Sequence, residues 1–123
     1  MKRGVTLITV PCDYDIFSSK LKFDAIIISN GPGNPKVVTK TISTVRKALE
    51  NKIPIFGICL GNQILALAAG GDTYKLKFGH RSQNQPCFLN NNHQCYLTTQ
   101  NHGFAVGEIP KAFRAWNFPT ANP

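Results

Sequence analysis

Cys59 lies in the segment of the sequence that is best suited to chemistry. Gly57 and Gly61 stand two residues to either side of it, in a G-x-C-x-G pattern between an apolar run and a helix-like stretch. A nucleophile at such a turn takes a strained backbone conformation, and nearby glycines remove the Cβ atoms that would collide there. The dipole of the following helix favours the thiolate, which is the attacking form. The pattern predicts that Cys59 is a nucleophile; a buried structural cysteine is the alternative.

A second glycine-rich segment, SNGPGNP at residues 29–35, follows another apolar run. In an open α/β sheet, loops at the carboxyl ends of the strands share one edge, so this loop is predicted to lie beside Cys59. Its glycines allow backbone N–H groups to approach a substrate carbonyl, as an oxyanion hole requires. The segment lacks the G-x-G-x-x-G and G-K-[ST] signatures of phosphate loops. An ordinary tight turn remains the alternative.

Three apolar runs, residues 5–10, 25–29 and 53–59, predict buried parallel strands. They are rich in Ile and Val without alternation, which is typical of strands covered by helices on both sheet faces. A helix is predicted to begin at Asn34 as its cap, with Pro35 in the first position. Four apolar residues then fall on one stripe of that helix: Val38, Ile42, Val45 and Leu49.

A second helix is predicted after Cys59 and through residue 69, where Gly70 and Gly71 end it. Beyond this point, residues 72–78, 86–89 and 94–98 predict short strands, with a polar turn at residues 90–92. The fold class is therefore α/β, a partial open and mostly parallel sheet with flanking helices. Residues 1–123 are expected to form a single domain.

Composition narrows the functional classes. An apolar fraction of 42% argues against disorder, and no apolar run reaches the ~20 residues of a membrane span. No signal peptide is recognisable, so a cytoplasmic location is expected. The net charge of +8 comes from scattered Lys and Arg, which predicts a solvated face or a face for an acidic partner rather than nucleic-acid binding. Neither a disulfide framework nor a metal site is predicted, and the other cysteines are expected to be structural: Cys12, Cys87 and Cys95.

With both loops in view, the chain resembles the class I glutamine amidotransferase domain of carbamoyl-phosphate synthases, in the form of either the separate small chain or the fused pyrimidine-pathway enzyme. The resemblance covers about residues 5–107, and residues 108–123 lie outside it. The first two of the matching segments suit many class I amidotransferases, and the last two are specific to the carbamoyl-phosphate branch. These segments are SNGPGNP at 29–35, FGICLG at 56–61, KFGHR at 77–81 with NQP at 84–86, and QNHGFAV at 100–106.

The resemblance implies hydrolysis of L-glutamine through a γ-glutamyl thioester on Cys59, with ammonia passed to a synthetase subunit or fused domain. It implies no cofactor in this chain, since ATP and metal ions belong to the synthetase. Gln63 would offer an amide, while Leu60 and Gly33 would offer backbone N–H groups to the oxyanion. The positions that match glutamine-binding residues are Gly31, Gly33, Leu60, Gln63, Asn101, Gly103 and Phe104.

The sequence departs from the family pattern in three respects. Asn62 stands where the family has His, and Ser82 where it usually has Gly. The family's base lies in a His-Pro-Glu motif, and none of the three histidines here, His80, His93 and His102, is followed by Pro-Glu. The domain is therefore expected to be incomplete at both ends and the 123 residues alone to be inactive, because nucleophile and base act as a unit.

Two other functions stay open at this point. A truncated amidotransferase domain could serve as a non-catalytic binding module that pairs its basic face with a synthetase. The chain could also be the glutaminase of another biosynthetic pathway, such as anthranilate or guanine nucleotide synthesis. The QNHGFAV segment at residues 100–106 argues against the latter.

Overall fold

The computed structural model describes residues 3–89 and 94–108. A parallel pair of strands with two helices is followed by a long antiparallel hairpin, so the α/β class is confirmed. Within these residues no helix is long and apolar enough to cross a membrane. The elements are β1 (Ile26–Ile28), a 3-10 helix (Pro35–Val37), α1 (Thr39–Glu50), β2 (Ile55–Gly57), α2 (Leu60–Ala68), β3 (Thr73–Leu89) and β4 (Gln94–Val106).

The parallel pair β1 and β2 carries helices on one face. Ile28 and Ile55 pack against the core of the two helices, which consists of Val45, Ile64, Leu65 and Ala68. Ile27 and Phe56 point to the other face and are 61% and 64% exposed. The prediction that helices cover both faces is thus wrong for the described residues, because α1 and α2 both pack on the same side.

The segment that leads into α1 contains a 3-10 helix that the sequence did not predict. Asn34 does act as a cap, with its side chain accepting a hydrogen bond of 3.0 Å from the backbone N–H of Lys36. The cap belongs to the separate 3-10 helix, and α1 begins only at Thr39. The predicted apolar stripe is confirmed, since Val45 is buried and the other three members pack against the core.

Residues 5–10 do not form the predicted strand. Val5, Leu7 and Ile8 are each more than half exposed. A strand requires a hydrogen-bonded neighbour, and the two sheets of the described residues pair β1 with β2 and β3 with β4 alone. The apolar, β-branched composition of this segment favours a strand, but composition cannot supply the neighbouring strand that pairing requires.

The hairpin is longer and more regular than the three short predicted strands. β3 has 17 residues and β4 has 13, and they pair antiparallel from Thr73 with Val106 to Leu89 with Gln94. Polar residues therefore extend through both strands, where cross-strand hydrogen bonds override their low propensity. The predicted turn at residues 90–92 and residues 109–123 lie outside the described residues.

Candidate active site

Cys59 occupies a strained turn between β2 and α2. Its backbone has φ 52° and ψ −107°, and positive φ at a non-glycine residue is uncommon and costly. The predicted elbow conformation is confirmed. The side chain is half-buried and stands beside the first residue of α2, Leu60. Leu60 is the first residue of the helix, so its backbone N–H has no acceptor within the helix.

The two flanking glycines are required by close backbone packing. A Cβ on Gly57 would lie 2.6 Å from the backbone of Gly61 and Asn62, and a Cβ on Gly61 would overlap the carbonyl group of Ile28. These distances are shorter than real Cβ contacts allow. The steric reason predicted for the G-x-C-x-G pattern is thus confirmed, and the spacing fixes the elbow against β1.

The glycine-rich loop after β1 lies at the same sheet edge as the elbow. Ile28 at the end of β1 pairs with Gly57 at the end of β2. A Cβ on Gly31 would lie 2.9 Å from the Leu60 side chain, so the loop contacts the start of α2 directly. Gly33 has φ +98°, a conformation that glycine adopts without strain.

The strand β4 brings residues from more than 40 positions away to the elbow. The Cys59 sulfur lies 3.8 Å from the carbonyl oxygen of Asn101. One turn along α2, Gln63 is 6% exposed and its Nε2 donates a hydrogen bond of 2.7 Å to the carbonyl oxygen of Phe104. These two contacts hold the 101–104 segment beside Cys59 and the start of α2.

The residues that the resemblance singled out fall into two groups in the structure. Cys59 contacts Asn101, Gln63 contacts Phe104, and Leu60 packs close to Gly31. At Gly33 and Gly103 a Cβ would meet nothing within 4 Å, so these two glycines border open space.

Three further polar residues, His80, Gln100 and His102, had no predicted role. Their side chains form a hydrogen-bonded group on the hairpin: Gln100 Oε1 lies 3.1 Å from His80 Nδ1 and 2.9 Å from His102 Nε2. Residues 98, 100 and 102 alternate along a strand and therefore share one face. That alternation was the available signal, and it was hidden because the segment between residues 98 and 107 was not predicted as strand.

An ion pair ties the 3-10 helix to the turn after α2. Lys36 Nζ lies 2.7 Å from Asp72 Oδ1, and both side chains are exposed. The hydrogen bond from Lys36 lowers the pKa of the Asp72 carboxyl below its ordinary value, with help from the Thr73 backbone N–H. The pair links the segment before α1 to the beginning of the hairpin.

Several known proteins are similar to this chain in sequence. The chain is 52% identical over 107 residues to the "Multifunctional protein CAD" of Squalus acanthias, covering 85% of this chain and 5% of that protein. It is 51% identical over 110 residues to the "Carbamoyl phosphate synthase arginine-specific small chain" of Saccharomyces cerevisiae, covering 86% of this chain and 27% of that one. The "Carbamoyl phosphate synthase small chain" of Pyrococcus furiosus is 44% identical over 119 residues, with coverage of 94% and 32%. The chain thus spans less than a third of the length of these relatives.

Two crystal structures show the same fold. A putative GMP synthase subunit from Thermoplasma acidophilum superimposes with a TM-score of 0.65 at 25% identity, covering 83% of this chain and 54% of that one. A glutamine amidotransferase from Methylobacillus flagellatus gives a TM-score of 0.61 at 17% identity, with coverage of 71% and 40%. The model of the family "Glutamine amidotransferase class-I" matches residues 1–121. The chain belongs to the class I glutamine amidotransferase family.

Proposed function

We propose that this chain is part of the glutaminase of a glutamine-hydrolysing carbamoyl-phosphate synthase. The observation that carries the proposal is the strained, glycine-flanked elbow of Cys59, with its sulfur 3.8 Å from the Asn101 carbonyl. A cysteine that served only to fill a core would need neither a φ of 52° nor two glycines that admit no Cβ. Strain of this kind is found where a side chain must be presented to a substrate.

In the proposed reaction, the Cys59 thiolate attacks the side-chain carbonyl carbon of L-glutamine. A C–S bond forms, the carbonyl oxygen becomes an oxyanion, and backbone N–H groups of Leu60 and Gly33 stabilise it. The C–N bond then breaks, ammonia leaves with the proton that the thiol gave up, and water hydrolyses the thioester to glutamate. Gln63 and the 101–104 segment would hold the substrate, with Gly31 at the loop side.

The proton acceptor is a separate question. Both ring nitrogens of His102 are engaged, Nδ1 with the Phe104 carbonyl and Nε2 with Gln100, so this ring is not bonded to the sulfur. The sequence has no His-Pro-Glu motif. We therefore propose that these 123 residues bind glutamine without appreciable turnover by themselves, because a nucleophile without its base loses most of its activity.

The assignment to carbamoyl-phosphate synthesis rests on the names of similar relatives and on their identity to this chain. Proteins named as carbamoyl phosphate synthase small chains are 44% and 51% identical to this chain, and the GMP synthase subunit is 25% identical. Identity of that order supports the carbamoyl-phosphate pathway over guanine nucleotide synthesis. The proposed partner is a synthetase, either separate or fused, which would hold ATP and metal ions; a cytoplasmic location belongs to the same proposal.

Glutamine binding is tested by protection of Cys59 from alkylation. The full chain is treated with iodoacetamide at increasing L-glutamine, and the alkylation of each cysteine is followed by peptide mass spectrometry. L-Glutamine is expected to slow the modification of Cys59 and to leave the exposed Cys12 and Cys95 unaffected. L-Asparagine, one methylene shorter, serves as the matched control and should give little protection.

The outcomes separate the candidate functions. Selective protection by L-glutamine supports the glutaminase, and ammonia release at a normal rate from the chain alone would contradict only the proposed lack of turnover. A folded chain in which L-glutamine leaves Cys59 alkylation unchanged would overturn the proposal and favour a non-catalytic binding module.

A further inference from the structure

Five half-buried side chains form a continuous polar network on one face of the hairpin. Gln100 is at its centre. Its Oε1 lies 3.1 Å from His80 Nδ1 and 2.9 Å from His102 Nε2, while its Nε2 donates to Thr98 Oγ1 at 3.0 Å and to Cys87 Sγ at 3.1 Å. An amide has two donor hydrogens and two acceptor sites, and all four are used here. The Gln100 side chain is therefore held in one orientation.

The network reaches the nucleophile's helix through a single backbone carbonyl. The Phe104 oxygen accepts a hydrogen bond of 2.7 Å from Gln63 Nε2 and lies 2.8 Å from His102 Nδ1. Both ring nitrogens of His102 face oxygen acceptors, Phe104 O at Nδ1 and Gln100 Oε1 at Nε2, so both contacts are hydrogen bonds only when the ring carries two N–H groups. Both acceptor positions of that carbonyl are thus filled, one from the hairpin and one from α2. A chain of contacts runs from His80 through Gln100 and His102 to Gln63.

The strand needs this support because its ladder is interrupted at the same place. Lys75 pairs with Phe104 and His80 pairs with His102, so residues 76–79 of β3 bulge opposite Gly103 alone. Regular cross-strand bonds fix the register on either side of a bulge but not within it. Side-chain hydrogen bonds from His102 and Gln63 to the Phe104 carbonyl take their place, on the stretch that contacts Cys59 through Asn101.

We infer that Gln100 is a positioning residue for the glutamine site and acts through His102. Its amide orients the imidazole so that Nδ1 holds the Phe104 carbonyl, and this keeps the 101–104 segment in place for the substrate. His80 contributes in two ways: its Nδ1 contacts the Gln100 amide oxygen, and its ring packs edge-on against that of His102, with 5.0 Å between the ring centroids. The inference rests on the proposed binding of glutamine.

The test compares Gln100→Leu with Gln100→Glu in the full chain. Leucine removes every hydrogen bond of the amide, whereas glutamate keeps an acceptor for both imidazoles and can accept from the Cys87 thiol. The control is Thr99→Leu, a change of an exposed neighbour on the opposite face of the same strand. The quantity measured is the L-glutamine concentration that halves the rate of Cys59 alkylation, together with the alkylation rate without glutamine and the thermal unfolding temperature.

Gln100→Leu is expected to raise the half-protection concentration about tenfold, the effect of losing a hydrogen bond that orders the site. Gln100→Glu and Thr99→Leu should remain within about twofold of the unmodified chain. The alkylation rate without glutamine serves as each variant's own baseline, because the 101–104 segment contacts the Cys59 sulfur through Asn101. A purely structural role would lower the unfolding temperature and leave the half-protection concentration unchanged.

His80→Phe covers the case in which Gln100→Leu does not fold. Phenylalanine keeps an aromatic ring next to His102 but cannot donate to Gln100, and about a threefold weaker protection is expected. The inference would be overturned if folded Gln100→Leu had the same half-protection concentration as the unmodified chain. If Gln100→Leu does not fold, the same result for His80→Phe would overturn it. So would failure of Gln100→Glu to restore protection. Absence of protection in the unmodified chain would instead overturn the proposed function on which the inference rests.

Discussion

Gly61, in the first turn of α2, lies so close to the carbonyl group of Ile28 at the end of β1 that a single methyl group would not fit between them. This contact joins α2 to β1, and not to β2, the strand that precedes α2 in the chain. Ile58, just before the elbow, donates a backbone hydrogen bond of 2.9 Å to the same Ile28 oxygen. The orientation of Cys59 is therefore set by β1 as well as by β2.

Gly61→Ala is expected to destabilise the chain by about 3 kcal/mol or more, because the added Cβ must displace the backbone of β1. Urea unfolding monitored by circular dichroism measures this change. Gly103→Ala is the matched control, since a Cβ there meets nothing within 4 Å and should cost little stability. Similar unfolding midpoints for the two variants would contradict the close approach of α2 to β1.

Cys59→Gly is expected to stabilise the fold while it removes the proposed nucleophile. Glycine adopts the observed φ of 52° without the cost that a side chain incurs, which is about 1 kcal/mol or more. Cys59→Ala is the control, because it also removes the sulfur but keeps the Cβ and its strain. The free energy of unfolding in urea should rise for the glycine variant relative to alanine. An equal free energy in both variants would show that the elbow is unstrained.

Asp72→Asn is expected to alter the pH dependence of stability slightly. Lys36 lowers the pKa of Asp72 in the folded chain, so the carboxylate contributes stability at neutral pH, and this contribution is lost as the pH falls through the lowered pKa. The unfolding temperature of the unmodified chain should exceed that of Asp72→Asn by a small margin at pH ~7, and the margin should close by pH ~2.5.

Two controls accompany the Asp72 prediction. Lys36→Met removes the other partner and should give a similar margin that also closes at low pH. About 1 M salt should reduce the margin at neutral pH, because both side chains are exposed and screened. A margin that persists at pH ~2.5 would show that the effect of Asp72→Asn does not come from loss of the carboxylate charge.

Much of the elbow could be predicted from local sequence. The spacing of Gly57, Cys59 and Gly61 specified a strained turn because the steric conflict at Gly57 involves Gly61 and Asn62, only four and five positions later. The conflict of Gly61 with Ile28 is the long-range exception. The apolar stripe of α1 and the glycine stop after α2 were predicted for the same reason, since helix periodicity is a short-range property. The α/β class followed from the alternation of these segments.

Other parts of the fold depended on partners that the sequence does not name. Residues 5–10 have strand composition but no paired neighbour within the described residues. In β4, residues 98–103 are polar or glycine, yet the strand has a paired neighbour in β3. The same reasoning explains the exposed face of Ile27 and Phe56, which composition alone predicted to be covered. Pairing and coverage are long-range properties, so propensity could not decide them.

By itself, the sequence determined where the strained turn at Cys59 lies and why two glycines must flank it. Tertiary structure alone decided which backbone groups lie next to this turn and its helix. The carbonyl of Asn101, 42 residues later, contacts the Cys59 sulfur, and the carbonyl of Phe104 accepts a hydrogen bond from Gln63. Tertiary structure also decided that Gln100 and His102 support this segment opposite a bulge. The physical reason is that steric rules act over a few residues, whereas the register of a hairpin and the docking of its strand on α2 join positions far apart in the chain.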